Sequence, residues 1–159
     1  MGKLQGAFEF KPLREQDLPL LLEWLNRPHV SEWWRGEGSL DELRANYLQS
    51  DARPFFAYLD GDAVAYIQSY PAKERGVVGI DQFLAHQHHL SRGLGTLLVR
   101  QFVEFLFRDP TVGAIEVDPA PGNGRAIRCY EKAGFRFIAR VVGPDGPAHL
   151  MRIGRSTRR

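Results

Sequence analysis

Cysteine is almost absent: Cys129 is the only one among 159 residues. It cannot form an internal disulfide, which fits a reducing cytoplasm. No apolar run approaches the ~20 residues that a membrane span requires. The opening MGKLQGAFEF has no basic-then-apolar signal, so neither secretion nor a membrane location is expected. Excess charge is missing as well. A formal net charge of +2 is too small to point to nucleic acid as a partner. Repeats, low-complexity stretches and interdomain linkers are also lacking. What remains is 43% hydrophobic and 25% charged, an ordinary globular composition. The length suits one domain with its own core: residues 7–154 are expected to be structured, and 155–159 to form a basic tail. The basic run from Arg152 to Arg159 reads as a frayed, solvated end, with anion contact as the lesser option.

The hydrophobic pattern predicts a mixed α/β order. Phe8–Leu13 alternates as a short strand. Glu15–Asn26 puts Leu18, Leu21, Leu22 and Leu25 on one helical face, and Pro28 stops it. Ser39 with Glu42 forms a capping box for a helix to about Gln49. Pro54–Leu59 and Ala63–Tyr70 flank Asp60-Gly61-Asp62, a hairpin signal. Val77–Leu84 reads as a central strand. A loop from His88 to Gly95 leads into Thr96–Phe107, apolar almost all round and so expected to be buried. Val112–Val117 follows as a strand, and Gly124–Lys132 as a helix capped by Gly134. A last hairpin, Phe135–Val142 with Ala148–Ile153, turns at Pro144-Asp145-Gly146.

Arg92-Gly93-Leu94-Gly95-Thr96, placed between a strand and a helix, is suited to an anion. Glycines admit close backbone approach, the helix N-terminus offers free N–H groups, and Arg92 adds charge. A tight turn alone accounts for these glycines equally well. No Lys-Ser/Thr follows them, so this is no P-loop, and Leu98 fills the third glycine position of a dinucleotide motif.

One strand later come Asn123-Gly124-Arg125-Ala126-Ile127, then Tyr130, then Gly134-Phe135. Together the two segments resemble the GNAT superfamily of acetyltransferases, apart from Leu90 at the usual Arg/Gln position of the loop. The resemblance implies a GNAT fold: α/β, with a mixed, mostly antiparallel central sheet flanked by helices in a single domain. It also implies acetyl-CoA as co-substrate and no metal. Its pyrophosphate would lie on Arg92, Gly93, Leu94, Gly95 and Thr96, with Phe83, Asn123, Arg125, Ala126 and Tyr130 along the CoA arm. Tyr130 would then be the acid that protonates the departing thiolate. A phenol with an ordinary pKa of about 10 keeps its proton at neutral pH and can do so; inward packing of the ring is the plainer alternative. Cys129 without a committed His reads as a small packed residue, not a nucleophile.

Longer runs are similar to the aminoglycoside 6'-N-acetyltransferases of the Ib type. They are Glu23–Arg27 with Glu32-Trp33-Trp34, Tyr66–Tyr70, Gly79–Gln82, Arg125–Phe135 and Pro144–Ala148. That resemblance implies a cationic small-molecule acceptor. Asp81 would be its base or orienting carboxylate, and Asp118 and Asp145 would hold ammonium groups. Trp34, Tyr47, Tyr66 and Gln68 would line the cleft. A polycation requires separated carboxylates, and a nucleophilic amine must first lose a proton. Each residue has a structural alternative: Asp81 as an ion-pair partner, Asp118 and Asp145 as turn residues. Of adjacent Trp33 and Trp34, one at most is expected to face the cleft, with the other in the core. His86, His88 and His89 read as a solvated loop rather than a metal site.

One segment departs from the Ib pattern. Where those enzymes carry a long acidic, Trp-bearing flap, this chain has only Pro71–Gly76, PAKERG. Acylation of a lysine-derived siderophore precursor, or non-catalytic acyl-CoA sensing, therefore stand as alternative functions. The expected assembly is a monomer or weak homodimer.

Overall fold

The structure is a computed structural model and describes residues 6–34 and 38–155. The chain forms two compact units. One comprises the chain to Tyr70 with Asp81–Leu90, and the other Pro71–Ile80 with the chain from Ser91 onward.

In the first unit β1 (Glu9–Pro12) pairs antiparallel with β2 (Arg53–Leu59), and β2 with β3 (Asp62–Pro71). The β2–β3 turn is the expected one: Asp60 (φ 52°) and Gly61 (φ 87°) both adopt the positive φ that a tight two-residue hairpin requires. A single 3₁₀ turn, Glu15–Asp17, precedes α1 (Leu18–Leu25). Leu18, Leu21 and Leu25 face inward as the periodicity predicts, but Trp24, not Leu22, completes the buried face. Pro28 does more than end α1. It opens a second short helix, α2 (Pro28–Ser31), where its missing N–H costs nothing. Ser39 caps α3 (Leu40–Leu43), its Oγ accepting from Glu42 N at 3.2 Å. Beyond Leu43 the backbone widens into a π turn, Arg44–Leu48, which carries Tyr47 into the core. Leu18, Leu21, Trp24, Leu25, Val30, Leu43, Phe56 and Tyr66 form that core with Phe83 and Ala85. At about 2 kcal/mol for each large apolar side chain removed from water, this cluster holds the three short helices to the sheet.

β4 (Val77–Leu84) has residues in both units, with the boundary between Ile80 and Asp81. In the second unit Val77–Gly79 of β4 run parallel to Ala114–Glu116 of β5 (Ala114–Val117). β5 pairs antiparallel with β7 (Gly146–Gly154), and β7 with β6 (Arg136–Gly143). Strand order is β1-β2-β3-β4-β5-β7-β6. β5 begins two residues later than the pattern suggested, because Gly113 N and Ala114 N first bind Gly76 O across the end of the strand.

Helix α4 (Leu94–Phe107) starts inside the glycine loop. It is less uniformly buried than its composition suggested: Leu94, Leu98, Phe102 and Leu106 are inside, and Arg100 and Glu104 outside. Helix α5 (Gly124–Ala133) begins at Asn123, whose side chain accepts from Ala126 N at 3.3 Å, and ends at Gly134 in the left-handed region. The basic end is not frayed at its first members. Arg152 lies in β7 between Glu116 and Glu74, and Arg155 donates to the carbonyls of Phe107, Asp109 and Val112. Carboxylates and helix-end carbonyls attract these guanidiniums more strongly than water does. Residues 156–159 lie outside the described residues.

Candidate active site

The first unit holds five of the expected acceptor-side residues: Trp34, Tyr47, Tyr66, Gln68 and Asp81. Trp34 donates from Nε1 to the Tyr47 hydroxyl at 3.0 Å. The Trp34 ring stands edge-on to Tyr66 (5.7 Å) and Phe83 (5.1 Å), and Tyr47 edge-on to Tyr66 (5.6 Å). Trp33 does not pack into the core as expected; it is 44% exposed at the end of α2. Phe83 was expected along the CoA arm. Its ring is buried and stacked on Tyr66 at 5.5 Å.

Alternation along β3 puts Tyr66 and Gln68 on one face, and Asp81 lies across from them on β4. Tyr66 OH donates to Gln68 Oε1 at 2.5 Å, and Gln68 Nε2 donates to Asp81 Oδ2 at 3.1 Å. Expected separately as a cleft lining and a base, these residues form one connected chain. Their two-residue spacing on β3 was visible in the sequence; the Asp81 partner was not.

The histidines lie nearby in the same unit. His86 stacks on His88 and meets His89 edge-on, and Arg27 Nη1 lies 3.1 Å from His86 Nδ1. Burial first, and the Arg27 charge next, keep the His86 imidazole below its ordinary pKa. Arg27 also donates to Ala85 O, fixing the strand end, a role that nothing in the sequence signalled. Among the described residues no group of His, Cys, Asp and Glu could hold a metal ion.

In the second unit the glycine loop has the backbone an anion site requires. Gly93 precedes α4 with φ 86°, and a Cβ there would meet nothing within 4 Å. No side chain caps α4, so the N–H groups of its first turn are not occupied by a capping residue. Arg92 is exposed beside them. On α5, Asn123 is committed to its cap, Arg125 is exposed and Ala126 half-buried. The loop thus fits a diphosphate through its main chain and the helix dipole.

Tyr130 is buried, its ring edge-on to Phe135 at 5.6 Å, so the inward packing is present. Burial raises the thiol of neighbouring Cys129; a hydrogen bond with Thr96 and the Lys132 and Arg100 charges oppose this without overcoming it. A thiol held in its neutral form is a poor nucleophile.

Asp118 follows β5 and Asp145 occupies the β6–β7 turn, both at the surface. The Asp118 carboxyl is raised, first by desolvation and then by the negative charges of Asp145 and Glu116. Glu116 is satisfied by Arg152, 2.5 Å away. Asp145 thus acts on Asp118 as a like charge, an effect that a cation relieves.

Residues 14–142 match the acetyltransferase (GNAT) domain family. The chain belongs to the GNAT acetyltransferases. Within the GNAT family it is 47% identical to the aminoglycoside N(6')-acetyltransferase type 1 of Klebsiella pneumoniae, over 87% of this chain and 79% of that protein. A solved structure of AAC(6')-Ib in complex with paromomycin and acetyl-CoA superimposes with a TM-score of 0.91 at 43% identity, covering 96% of each chain. A lysine N-acyltransferase, MbtK of Mycobacterium sp. strain MCS, is 29% identical over 85% of this chain and 62% of its own. The mixed sheet flanked by helices is the GNAT fold, and a donor loop of the acetyl-CoA type agrees with it. No helix among the described residues is long and apolar enough to cross a membrane.

Proposed function

We propose that this acetyltransferase moves the acetyl group of acetyl-CoA to the 6'-amine of aminoglycosides, by direct transfer in a ternary complex. The observation that carries the reading is the Asp81 carboxylate, held by Gln68 beside an aromatic cluster, in a chain 47% identical to an aminoglycoside N(6')-acetyltransferase.

Each residue has a task. Main-chain N–H groups of Gly93–Thr96 with Arg92 hold the diphosphate, and Asn123, Arg125 and Ala126 shape the start of α5 beside the CoA arm. Bound acetyl-CoA supplies a thioester, an activated acyl group with a readily displaced sulfur. Asp81 accepts the proton that the acceptor ammonium must lose, directly or through water, freeing the nitrogen lone pair. As the C–N bond forms and the C–S bond breaks, Tyr130 gives its phenolic proton to the departing sulfur, and the second proton, shed by the nitrogen as it becomes an amide, passes through solvent to restore the phenol. Asp118 and Asp145 hold ammonium groups on other rings of the acceptor, and half-buried Trp34 flanks the sugar being acetylated, with Tyr47 and Tyr66 packed behind it. Cys129, with its raised thiol, takes no acyl group.

One observation favours a second acceptor class. The Pro71–Gly76 flap closes on itself, with Ala72 N on Val77 O and Val77 N on Glu74 O, and Arg152 holds its single carboxylate, Glu74. The flap therefore offers an acceptor only the cations Lys73 and Arg75. A smaller amine of lower charge, such as a lysine-derived hydroxamate precursor, tolerates that better than a polycation.

Thiol release from acetyl-CoA distinguishes the two. We expect turnover with kanamycin, tobramycin and amikacin that is lost in Asp81→Asn. Turnover confined to N-hydroxylysine would move the acceptor to the second class. Acetyl-CoA binding without turnover on any amine would remove the catalytic reading.

A further inference from the structure

Gln68 is placed to act on Asp81 rather than on the acceptor. A glutamine amide has one acceptor end and one donor end. Tyr66 is fully buried, with its ring held edge-on by Trp34 and Tyr47 and stacked on Phe83. Its hydroxyl therefore has a fixed position, and it reaches the Gln68 oxygen. That bond turns the Gln68 NH2 group toward Asp81, where it donates to Oδ2. The reverse amide orientation would set the Gln68 oxygen against an ionised carboxylate, acceptor facing acceptor. Buried aromatic packing thus sets the direction of a carboxylate two side chains away.

We infer that Gln68 is a positioning residue, locked by Tyr66, which stops rotation of the Asp81 carboxylate so that its lone pairs meet the acceptor nitrogen. This rests on the reading of Asp81 as proton acceptor and deepens it. A carboxylate that rotates freely presents its lone pairs to the amine only part of the time. An N–H donor on Oδ2 removes that freedom. The competing role for Gln68, direct contact with the sugar, would act on acceptor affinity and would not depend on Asp81.

The test is a double-mutant cycle on the full chain with acetyl-CoA and kanamycin, reading kcat, both KM values and melting temperature for each variant. Gln68→Leu should lower kcat about tenfold with the acetyl-CoA KM unchanged, and Tyr66→Phe about threefold. In an Asp81→Asn background, Gln68→Leu should change kcat by less than about twofold, because its effect passes through the carboxylate. Gln68→Glu keeps the shape but faces Asp81 with a second carboxylate, so it should be no more active than Gln68→Leu. Near wild-type activity in Gln68→Glu, additive losses in the cycle, or an effect confined to the kanamycin KM would overturn the inference. Where Asp81→Asn abolishes turnover altogether, the comparison of Gln68→Glu with Gln68→Leu decides alone. Full turnover in Asp81→Asn would instead remove the underlying reading of Asp81, a result distinct from additivity.

Discussion

Replacing Asp118 by Asn separates what the carboxylate does for the fold from what it does for a cationic acceptor. The folded Asp118 carboxyl lies above its ordinary value of 3.8, through desolvation first and then the charges of Asp145 and Glu116. The folded chain therefore holds that proton more tightly than the unfolded chain does. The stability linked to it is fully present below the unfolded value and is lost as pH rises through the folded one. At pH 7 the ionised Asp118 weighs against the fold, and an uncharged Asn removes that load. The acceptor loses an ammonium partner at the same position. Asp118 is exposed, and an exposed ion pair is worth at most about 1 kcal/mol, so the kanamycin KM should rise by up to about fivefold with kcat little changed. Two assays check this. Melting at pH 7 should show the variant at least as stable as the wild type, with the advantage gone below pH 3.8. Thiol release at rising ionic strength should show a weaker salt dependence of KM in the variant. A variant less stable at pH 7, or one with an unchanged KM and a collapsed kcat, would refute the assignment of Asp118 as a crowded carboxylate that receives a cation.

Tyr130→Phe keeps the ring packed on Phe135 and removes the phenol, so kcat should fall by roughly 10²-fold while melting changes little. That is the low end of general-acid effects, because a thiol of pKa about 8.5 already leaves well; an unchanged kcat would assign Tyr130 to packing alone. Gly134 has φ +107°, and a Cβ there would lie 3.1 Å from Ile153 Cδ1. Gly134→Ala should cost about 1–2 kcal/mol, read as a melting temperature lower by about 2–8 °C. Arg155 donates to three main-chain carbonyls at the end of α4 and before β5. Arg155→Ala should lower stability by roughly 2–4 kcal/mol in denaturant melts, whereas a loss near zero would return this residue to the solvated tail.

Local chemistry was legible in the sequence, because it depends on neighbours a few residues apart. Asp60-Gly61 fixed a hairpin through the φ angles that only such residues adopt readily, and Ser39 and Asn123 capped their helices through bonds spanning three residues. The loop from Arg92 to Thr96 and the helix from Asn123 to Tyr130 carried the resemblance to the GNAT family, to which the chain belongs. What depends on residues distant in the chain was not legible. Arg152 and Arg155 read as a loose basic end, because their carboxylate and carbonyl partners lie 36 to 78 residues away. The stacking of Phe83 on Tyr66 had no local signal either. Asp81 and Gln68 each stood out alone, but their link across 13 residues exists only because β3 and β4 are neighbours in the sheet. Sequence determined which groups were available for acyl transfer; tertiary structure decided which of them hold one another, because hydrogen bonds and ring contacts act over ångströms of space whatever their separation along the chain.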